Sequence, residues 1–286
     1  MYLDMYKIDG TINNDTEPCF EKSETYPKFQ EKLEEFKHLL IELVYLNEPK
    51  TFYKFGDGDY FFLRKEPVGS ATPGRRALSK GFDQINHEAF TTGAQLCDYY
   101  TCEIYPTNRN RFSQVINRDI DYPAEFGYGL VTNKWLLETF SGRIGLIGAN
   151  TKMNIIQNLM EAPQYQDYLG LEKFEDYISL PQKFACDDID ATEKMVAEQL
   201  KNSSSKIFLM GMGHVKSGLI HRLKKHTNAI FLDVGASIDA LAGIIDVNRP
   251  YAGDWTNYQI DDDELYEGVD FLAYEGKGKH ILLERE

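Results

Sequence analysis

The chain has 286 residues, of which 42% are hydrophobic and 27% are charged, as in an ordinary soluble globular protein with a sizeable core. Its formal net charge of −14 excludes nucleic acid and anionic membranes as natural partners. No apolar run approaches the roughly 20 residues of a membrane span, and no signal peptide is recognisable. The four cysteines form no Cys-x-x-Cys pair, so a structural zinc site is not expected. We expect the cysteines to be reduced and the chain to be cytoplasmic.

The amino-terminal part of the chain leads into an acidic, glycine-spaced motif. Residues 1–28 are polar and irregular, and apolar residues at spacings of three and four then predict a helix over 29–46. An aromatic strand over 52–55 follows, and it ends at Asp57-Gly58-Asp59. The motif therefore lies at the carboxyl end of a first strand, where ligands bind in open α/β sheets.

Two interpretations of Asp57-Gly58-Asp59 are open. In a turn, Gly58 can adopt the backbone angles that let both carboxylates face one point, where they would repel each other without a cation such as Mg²⁺ or Mn²⁺. Alternatively, the motif is a polar strand-to-helix connection in which Asp59 caps the helix.

The next hundred residues are less regular. Residues 69–81 are a Gly-, Pro- and Ser-rich loop containing Arg75 and Arg76, which predicts either a flap over a diphosphate or a solvated surface loop. Residues 82–101 are predicted to be helical. Residues 102–130 show no clear period, and they either shape an acceptor site or pack on the surface.

From residue 131 onward, strands and helices alternate. A helix over 131–139 is followed by predicted strands over 143–148, 177–181, 206–210 and 229–233, and by helices over 152–160, 187–200, 214–225 and 237–245. This alternation predicts an α/β protein with a Rossmann-like, mostly parallel sheet flanked by helices. We expect a single domain over 29–247, with an amino-terminal arm over 1–28 and an acidic, Tyr-rich tail over 248–286.

Two strand ends in this half carry candidate site residues. Gly211 and Gly213 let a ligand approach the backbone, and the following helix presents free N–H groups and its positive end to an anion. The alternative is a tight strand-to-helix turn without a ligand. Asp233 ends the next strand, where it serves as a general base, binds a ribose hydroxyl or caps the following helix.

The order of five motifs indicates a family. They are Phe55-Gly56-Asp57-Gly58-Asp59, Ile147-Gly148-Ala149-Asn150, Leu180-Pro181-Gln182-Lys183-Phe184-Ala185, Met210-Gly211-Met212-Gly213-His214 and Phe231-Leu232-Asp233-Val234-Gly235. Over about residues 50–245, this order resembles the GT-D-type glycosyltransferases, a family once catalogued as a domain of unknown function. Its members carry an Arg-Phe-Gly-Asp-Gly-Glu turn and transfer a sugar from a nucleotide diphosphate, usually UDP, with a divalent metal.

The resemblance implies roles for individual residues. Asp57 and Asp59 would hold Mn²⁺ or Mg²⁺, and Asp233 would end the last core strand beside a UDP-sugar donor. The acceptor would be a glycan or glycoprotein hydroxyl. Donor contacts are expected from the glycines, the flap arginines and the start of the helix, namely Gly56, Gly58, Arg75, Arg76, Gly148, Asn150, Gly211, Gly213, His214, Lys216 and Ser217.

The chain also departs from the family pattern. Lys54 stands where the family has Arg, and Asp59 stands where it has Glu. The family often continues with His-Ile-Asp, whereas this chain has Ala236-Ser237-Ile238-Asp239, which leaves the catalytic base open. The first candidate bases are Asp239 and Asp188, and Asp254 is a further candidate.

Rival functions are a phosphatase of the haloacid-dehalogenase type, with Asp57 as nucleophile, and a non-catalytic module that binds nucleotide sugars. A methyltransferase is disfavoured, since only about 50 residues follow Asp233-Val234-Gly235, too few for the remaining βα units.

The metal assignment predicts the effect of one substitution. Replacing Asp57 by Asn keeps the size of the side chain but removes its charge, so sugar transfer should be abolished while the fold is retained. Transfer is measured by acceptor glycosylation, and folding by circular dichroism. A fully active Asp57→Asn enzyme would rule out a metal ligand at this position.

Overall fold

The computed structural model of the chain describes residues 29–65, 84–102, 106–181, 183–244, 258–267, 269 and 280–284. The predicted arm over 1–28 lies outside these ranges. So do Arg75 and Arg76 of the predicted flap, and Asp254 of the tail.

A parallel sheet forms the centre of the protein. Within the described ranges it has seven strands, which are β1 Thr51–Phe55, β2 Tyr99–Cys102, β3 Tyr122–Pro123, β4 Ile144–Ala149, β5 Asp176–Leu180, β6 Ile207–Gly211 and β7 Ile230–Asp233. Their order across the sheet is β3-β2-β1-β7-β6-β4-β5, and each neighbouring pair is parallel.

Helices cover both faces of the sheet. In chain order they are α1 Phe29–Leu46, α2 Asp57–Leu63, α3 His87–Gln95, α4 Pro106–Ile116, α5 Ala124–Thr132, α6 Trp135–Thr139, α7 Asn150–Leu159, α8 Pro163–Leu169, α9 Ile189–Leu200, α10 Lys216–Leu223 and α11 Ser237–Leu241. One face carries α1, α5–α8 and α11, and the other carries α2–α4, α9 and α10. The α/β fold with a mostly parallel sheet is therefore confirmed. No helix in the described ranges is long and apolar enough to cross a membrane.

The connections leaving β1 and β7 create a crevice. These strands are neighbours, yet β1 leads into α2 on one face of the sheet and β7 leads into α11 on the other. The backbone diverges at their carboxyl ends, and this kind of topological switch point is where open α/β sheets bind ligands. Asp57-Gly58-Asp59 and Asp233-Val234-Gly235 both lie at this crevice.

Most predicted elements are confirmed, and two predictions are wrong. The helix over 29–46 has the predicted bounds, and β4–β7 lie within one residue of their predicted starts and ends. The predicted helix over 82–101 ends at Gln95, because Tyr99-Tyr100-Thr101-Cys102 has the aromatic and β-branched side chains of a strand and pairs with β1. The predicted helix over 131–139 is interrupted at Lys134, whose φ of 66° is left-handed.

Part of the predicted tail packs on the domain. Strand β8, Tyr258–Asp261, pairs in parallel with β9, His280–Glu284. Ile260 and Tyr266 are buried in the core on the α7 face, and the ring of Tyr258 lies 4.6 Å from that of Tyr168. The tail therefore contributes to the core as well as carrying acidic residues.

The tight packing between β4 and β6 predicts the outcome of a glycine substitution. A Cβ atom at Gly145 would lie 2.3 Å from the Phe208 ring and 2.7 Å from the Ser205 hydroxyl. We expect Gly145→Ala to lower the free energy of unfolding by about 1–3 kcal/mol, because the buried ring has to move. Chemical denaturation measures this change.

Gly127→Ala in α5 is the matched control. Its Cβ would lie 3.8 Å from the nearest atom, on Val234, and alanine favours a helix more than glycine does. This variant should be as stable as the wild type or more stable by up to about 1 kcal/mol. Equal stability of the two variants would contradict the packing described for β4 and β6.

Candidate active site

The acidic motif forms the first turn of α2. Gly56 is the N-cap residue, Asp57 begins the helix and Asp59 is its third residue. The Gly56 N–H donates to Asp59 Oδ2 at 2.8 Å, which satisfies an end group of the helix. The prediction that Gly58 adopts special turn angles is wrong, because Gly58 lies inside the helix. The side chain of Asp57 lies outside the described part of the structure.

The ammonium group of Lys216 connects this turn to β7. Its Nζ lies 3.0 Å from Asp59 Oδ2 and 2.8 Å from Asp233 Oδ2, and it also donates to the Lys54 carbonyl oxygen. A lysine ammonium has three N–H donors, so these three acceptors use all of them. Lys216 is 6% exposed, and its charge is neutralised inside the protein.

The pKa values of these groups reflect both burial and pairing. Burial opposes the charged form of Lys216, but Asp233 and Asp59 outweigh it and raise the pKa of the ammonium. Burial likewise opposes ionisation of Asp59, yet Lys216 and His214 hold the pKa of that carboxyl well below its usual range. Both groups are therefore charged at neutral pH.

His214 completes the environment of Asp59. Its Nδ1 lies 3.2 Å from Asp59 Oδ1, and because the carboxylate is ionised, Nδ1 is the donor. The imidazole stacks on the Phe62 ring at 4.6 Å, with 2° between the planes. His214 therefore positions Asp59, and its predicted contact with the donor stays a prediction.

Asp233 is held by backbone groups as well as by Lys216. The Lys54 N–H donates to Oδ2 at 3.3 Å, and the Gly235 N–H donates to Oδ1 at 3.0 Å. We call Asp59, His214, Lys216 and Asp233 the ion cluster. It connects the ends of β1 and β7 with the start of α10.

The side chain of Lys54 lies beside the ion cluster but has a different environment. Its ammonium is 4.9 Å from the centre of the Tyr128 ring. It also lies 3.2 Å from where a Cβ on Gly235 would be and 3.6 Å from where one on Gly56 would be. Lys54 therefore crosses the crevice between the turns after β1 and β7. In the sequence it stood out only as a replacement for the family's arginine, and the contact with Tyr128 carried no sequence signal.

The predicted donor contacts around α10 differ in their accessibility. Ser217 is fully buried, and its hydroxyl forms a 2.7 Å hydrogen bond with the Tyr53 hydroxyl, so it does not face the crevice. The Lys216 ammonium is also buried, in its ion pairs with Asp59 and Asp233. Gly213 is exposed, has a φ of 58° and has no atom within 4 Å of a Cβ position, so a ligand can approach there.

The other predicted glycines allow close packing. A Cβ on Gly211 would lie 2.8 Å from the Gly235 carbonyl oxygen, and one on Gly148 would lie 2.9 Å from Met153. Gly211 lets the turn after β7 approach the end of β6, and Gly148 lets α7 approach the end of β4. Asn150 is exposed at the start of α7, and its side-chain oxygen accepts from the Thr151 N–H.

The candidate bases lie outside the ion cluster. Asp239 on α11 pairs with Lys152 on α7, and its side chain is 30% exposed. Asp188 is exposed and caps α9, where it accepts from the Ala191 N–H at 2.9 Å. Asp239 thus pairs α11 with α7, and Asp188 serves as a helix cap.

A divalent metal does not fit the described ligands at Asp59. Both carboxylate oxygens already accept hydrogen bonds or an ion pair, from His214, Gly56 and Lys216. Among the described residues, no group of three or more His, Cys, Asp or Glu side chains is placed to hold a metal ion. Mn²⁺ or Mg²⁺ at Asp57 and Asp59 stays a prediction that requires Asp57 and substrate oxygens, or release of Lys216.

Comparisons with known proteins give limited information. No protein-family model matches the chain, and no curated protein matches its sequence. A solved structure, "A New Glycosyltransferase (DUF1792) from Streptococcus sanguinis", is similar over 86% of this chain and 97% of its own, with a TM-score of 0.45 and 11% sequence identity. A likeness at this level does not establish an activity, so function has to be inferred from the site.

The ion cluster predicts a strong effect of Lys216→Met. This change leaves two buried carboxylates without their cation, so we expect a loss of about 3–5 kcal/mol in the free energy of unfolding at neutral pH. Lys201→Met is the control, because Lys201 is exposed in its pair with Glu198 and should contribute little. Urea denaturation of both variants measures the difference.

The same variant has a predicted pH dependence. In the wild type, the lowered pKa of Asp59 contributes stability that is present above about pH 4 and is lost as the pH falls. Without Lys216, protonation removes the unpaired buried charge, so the deficit of Lys216→Met should shrink between pH 7 and about pH 4. A deficit that is independent of pH would contradict the charge pairing described here.

Proposed function

We propose that this chain is a glycosyltransferase that moves a hexose or pentose from a nucleotide diphosphate donor to a hydroxyl group of a glycan or glycoprotein. A UDP-sugar is the donor that the motif order favours. The proposal rests on the crevice between β1 and β7 and on the residues that meet there.

The observation that carries this proposal is the contact of Lys216 with both Asp59 and Asp233. Three motifs, separated by up to about 180 residues, meet through one buried ammonium. They are the motifs that the family resemblance places around the donor. Their meeting at a switch point of a parallel sheet supports a nucleotide-sugar site at this crevice.

The chemistry of sugar transfer makes two demands on such a site. The departing nucleoside diphosphate gains negative charge as the glycosidic bond breaks, so positive groups have to face it. The acceptor hydroxyl has to lose its proton to a base on the other side of the sugar. The ion cluster fixes the two turns between which a donor would lie, and Gly213 leaves its backbone open to the ligand.

Asp239 is the base that we favour. Its carboxylate is partly exposed and lies on α11, directly after the turn that contains Asp233 and Gly235. Asp239 also has an ion-pair partner, Lys152, but it is partly exposed. The carboxylate of Asp233 is buried and accepts from Lys216 and from two backbone N–H groups, which suits positioning better than proton transfer. We also propose that the transfer requires a divalent metal and that the donor is a UDP-sugar. The same proposal places the protein in the cytoplasm.

The geometry disfavours the phosphatase. A phosphatase with Asp57 as nucleophile also needs a general acid to protonate the leaving group, and Asp59 is the other carboxyl in the same turn. Asp59 is paired with Lys216 and His214, and its pKa lies well below its usual range, so it holds a proton poorly.

The proposal predicts donor turnover. Purified protein, incubated with UDP-, GDP- and dTDP-sugars, should release the nucleoside diphosphate from the UDP-sugar even without an acceptor, because water replaces the acceptor slowly. Coupled detection of the released diphosphate measures this rate, and each reaction is run with Mn²⁺, with Mg²⁺ and with EDTA. Loss of turnover in EDTA would support the predicted metal.

Asp239→Asn tests the base in the same assay. It should reduce transfer to an acceptor at least about 100-fold, in line with general-base catalysis, while donor binding is retained. Asp263→Asn, at an exposed acidic residue of the tail, is the matched control and should have no effect. Failure to bind or turn over any nucleotide sugar, combined with hydrolysis of a phosphomonoester, would replace this proposal with the phosphatase.

A further inference from the structure

We propose that Lys54 is the residue that binds the diphosphate of the donor, while Lys216 stays within the protein interior. This inference deepens the proposed function and rests on it. It assigns different tasks to two lysines at the same crevice, and the flap arginines are not needed for it.

The environments of the two ammonium groups are opposite in character. Lys216 Nζ has Asp59, Asp233 and a carbonyl oxygen as acceptors, and it is almost completely buried. Lys54 Nζ lies over the Tyr128 ring, and no described carboxylate lies within ion-pair distance of it. Among the described groups at this crevice, Lys54 is therefore the cation whose charge is available to a ligand.

Charge repulsion strengthens this distinction. The ammonium of Lys54 opposes the charged form of Lys216, which places the two positive charges within electrostatic range of each other. An anion beside Lys54 would reduce the repulsion between the two ammonium groups, while Lys54 itself offsets the repulsion between that anion and the carboxylates of the ion cluster. A diphosphate carries at least two negative charges, and the acidic protein as a whole would otherwise repel it.

The position of Lys54 also suits a diphosphate. Its ammonium lies close to the backbone of Gly56 and of Gly235, the two glycines that begin the turns after β1 and β7. With no side chain on either glycine, an anion can reach the ammonium from the carboxyl edge of the sheet. The Tyr128 ring holds the lysine in place through a cation–π contact without neutralising its charge.

Substitution of Lys54 should spare the fold. Its backbone N–H donates to Asp233 and its carbonyl accepts from Lys216, and both contacts are independent of the side chain. Lys54→Met should therefore keep the ion cluster intact. Lys54→Arg restores the family residue and keeps the charge, so it should bind a diphosphate as well as the wild type does.

Calorimetric titration with inorganic pyrophosphate, UDP and uridine tests the inference. Lys54→Met should weaken pyrophosphate and UDP binding at least about 10-fold, the loss expected for one charge-assisted contact, and should leave uridine binding unchanged. Lys54→Arg should bind all three ligands within about 3-fold of the wild type. Lys134→Met is the matched control, because Lys134 also lies over a tyrosine ring, Tyr168, but belongs to the α5–α6 connection.

The outcomes separate this inference from the proposed function. If the wild type turns over a UDP-sugar and Lys54→Met binds UDP equally well, Lys54 is not the diphosphate ligand and the glycosyltransferase proposal stands. If the wild type binds neither pyrophosphate nor UDP, the inference is wrong, and the turnover assay then decides separately on the function. Equal weakening of uridine and UDP by Lys54→Met would also overturn it, because a general distortion would explain both losses.

Discussion

The burial of one ammonium between two carboxylates is the constraint on which this site depends. Lys216, Asp59 and Asp233 come from different parts of the chain, and none of the three tolerates burial alone at neutral pH. The ammonium lies between the two carboxylates and balances one of their two charges, and Asp233 also accepts from backbone groups at the ends of β1 and β7. Because separating these buried charges costs free energy, the two turns keep fixed relative positions. The crevice is therefore formed without a ligand.

This arrangement explains why neighbouring residues differ so much in accessibility. Ser217 and Tyr53 hydrogen bond beneath the ion cluster, and the Lys216 ammonium lies 4.9 Å from the Tyr53 ring. We propose that a ligand contacts the exposed Gly213 and the side chain of Lys54. In this proposal Lys216 stabilises the site, and the charge of the neighbouring Lys54 binds the ligand.

The sequence predicted the fold well where the signals were local. Periodic leucines defined α1, and apolar runs ending in glycine or aspartate defined β4, β6 and β7. The short strand β2 was missed because Tyr99–Cys102 follows directly on a helical pattern, and its pairing with β1 is a long-range contact. Lys134 interrupts the helical pattern because its backbone has a left-handed φ, which lysine rarely adopts. The sequence therefore does not predict the interruption.

The sequence indicates which strand ends carry the candidate site, but not how its side chains pair. The motifs lie at the carboxyl ends of β1, β6 and β7, and these strands are side by side in the sheet. The metal role of Asp59 and the phosphate role of Lys216 stay predictions. Motif spacing cannot reveal that these two side chains are paired with each other, because that depends on the position of α10 relative to α2.

The most direct measurement is a crystal structure of the protein with UDP and Mn²⁺. We predict that the diphosphate lies beside the Lys54 ammonium, with Lys216 still between Asp59 and Asp233. Anomalous scattering from manganese would show whether Asp57 and the diphosphate hold a metal. A diphosphate bound by Lys216 after its release from the two carboxylates, or bound away from the β1–β7 crevice, would contradict the account.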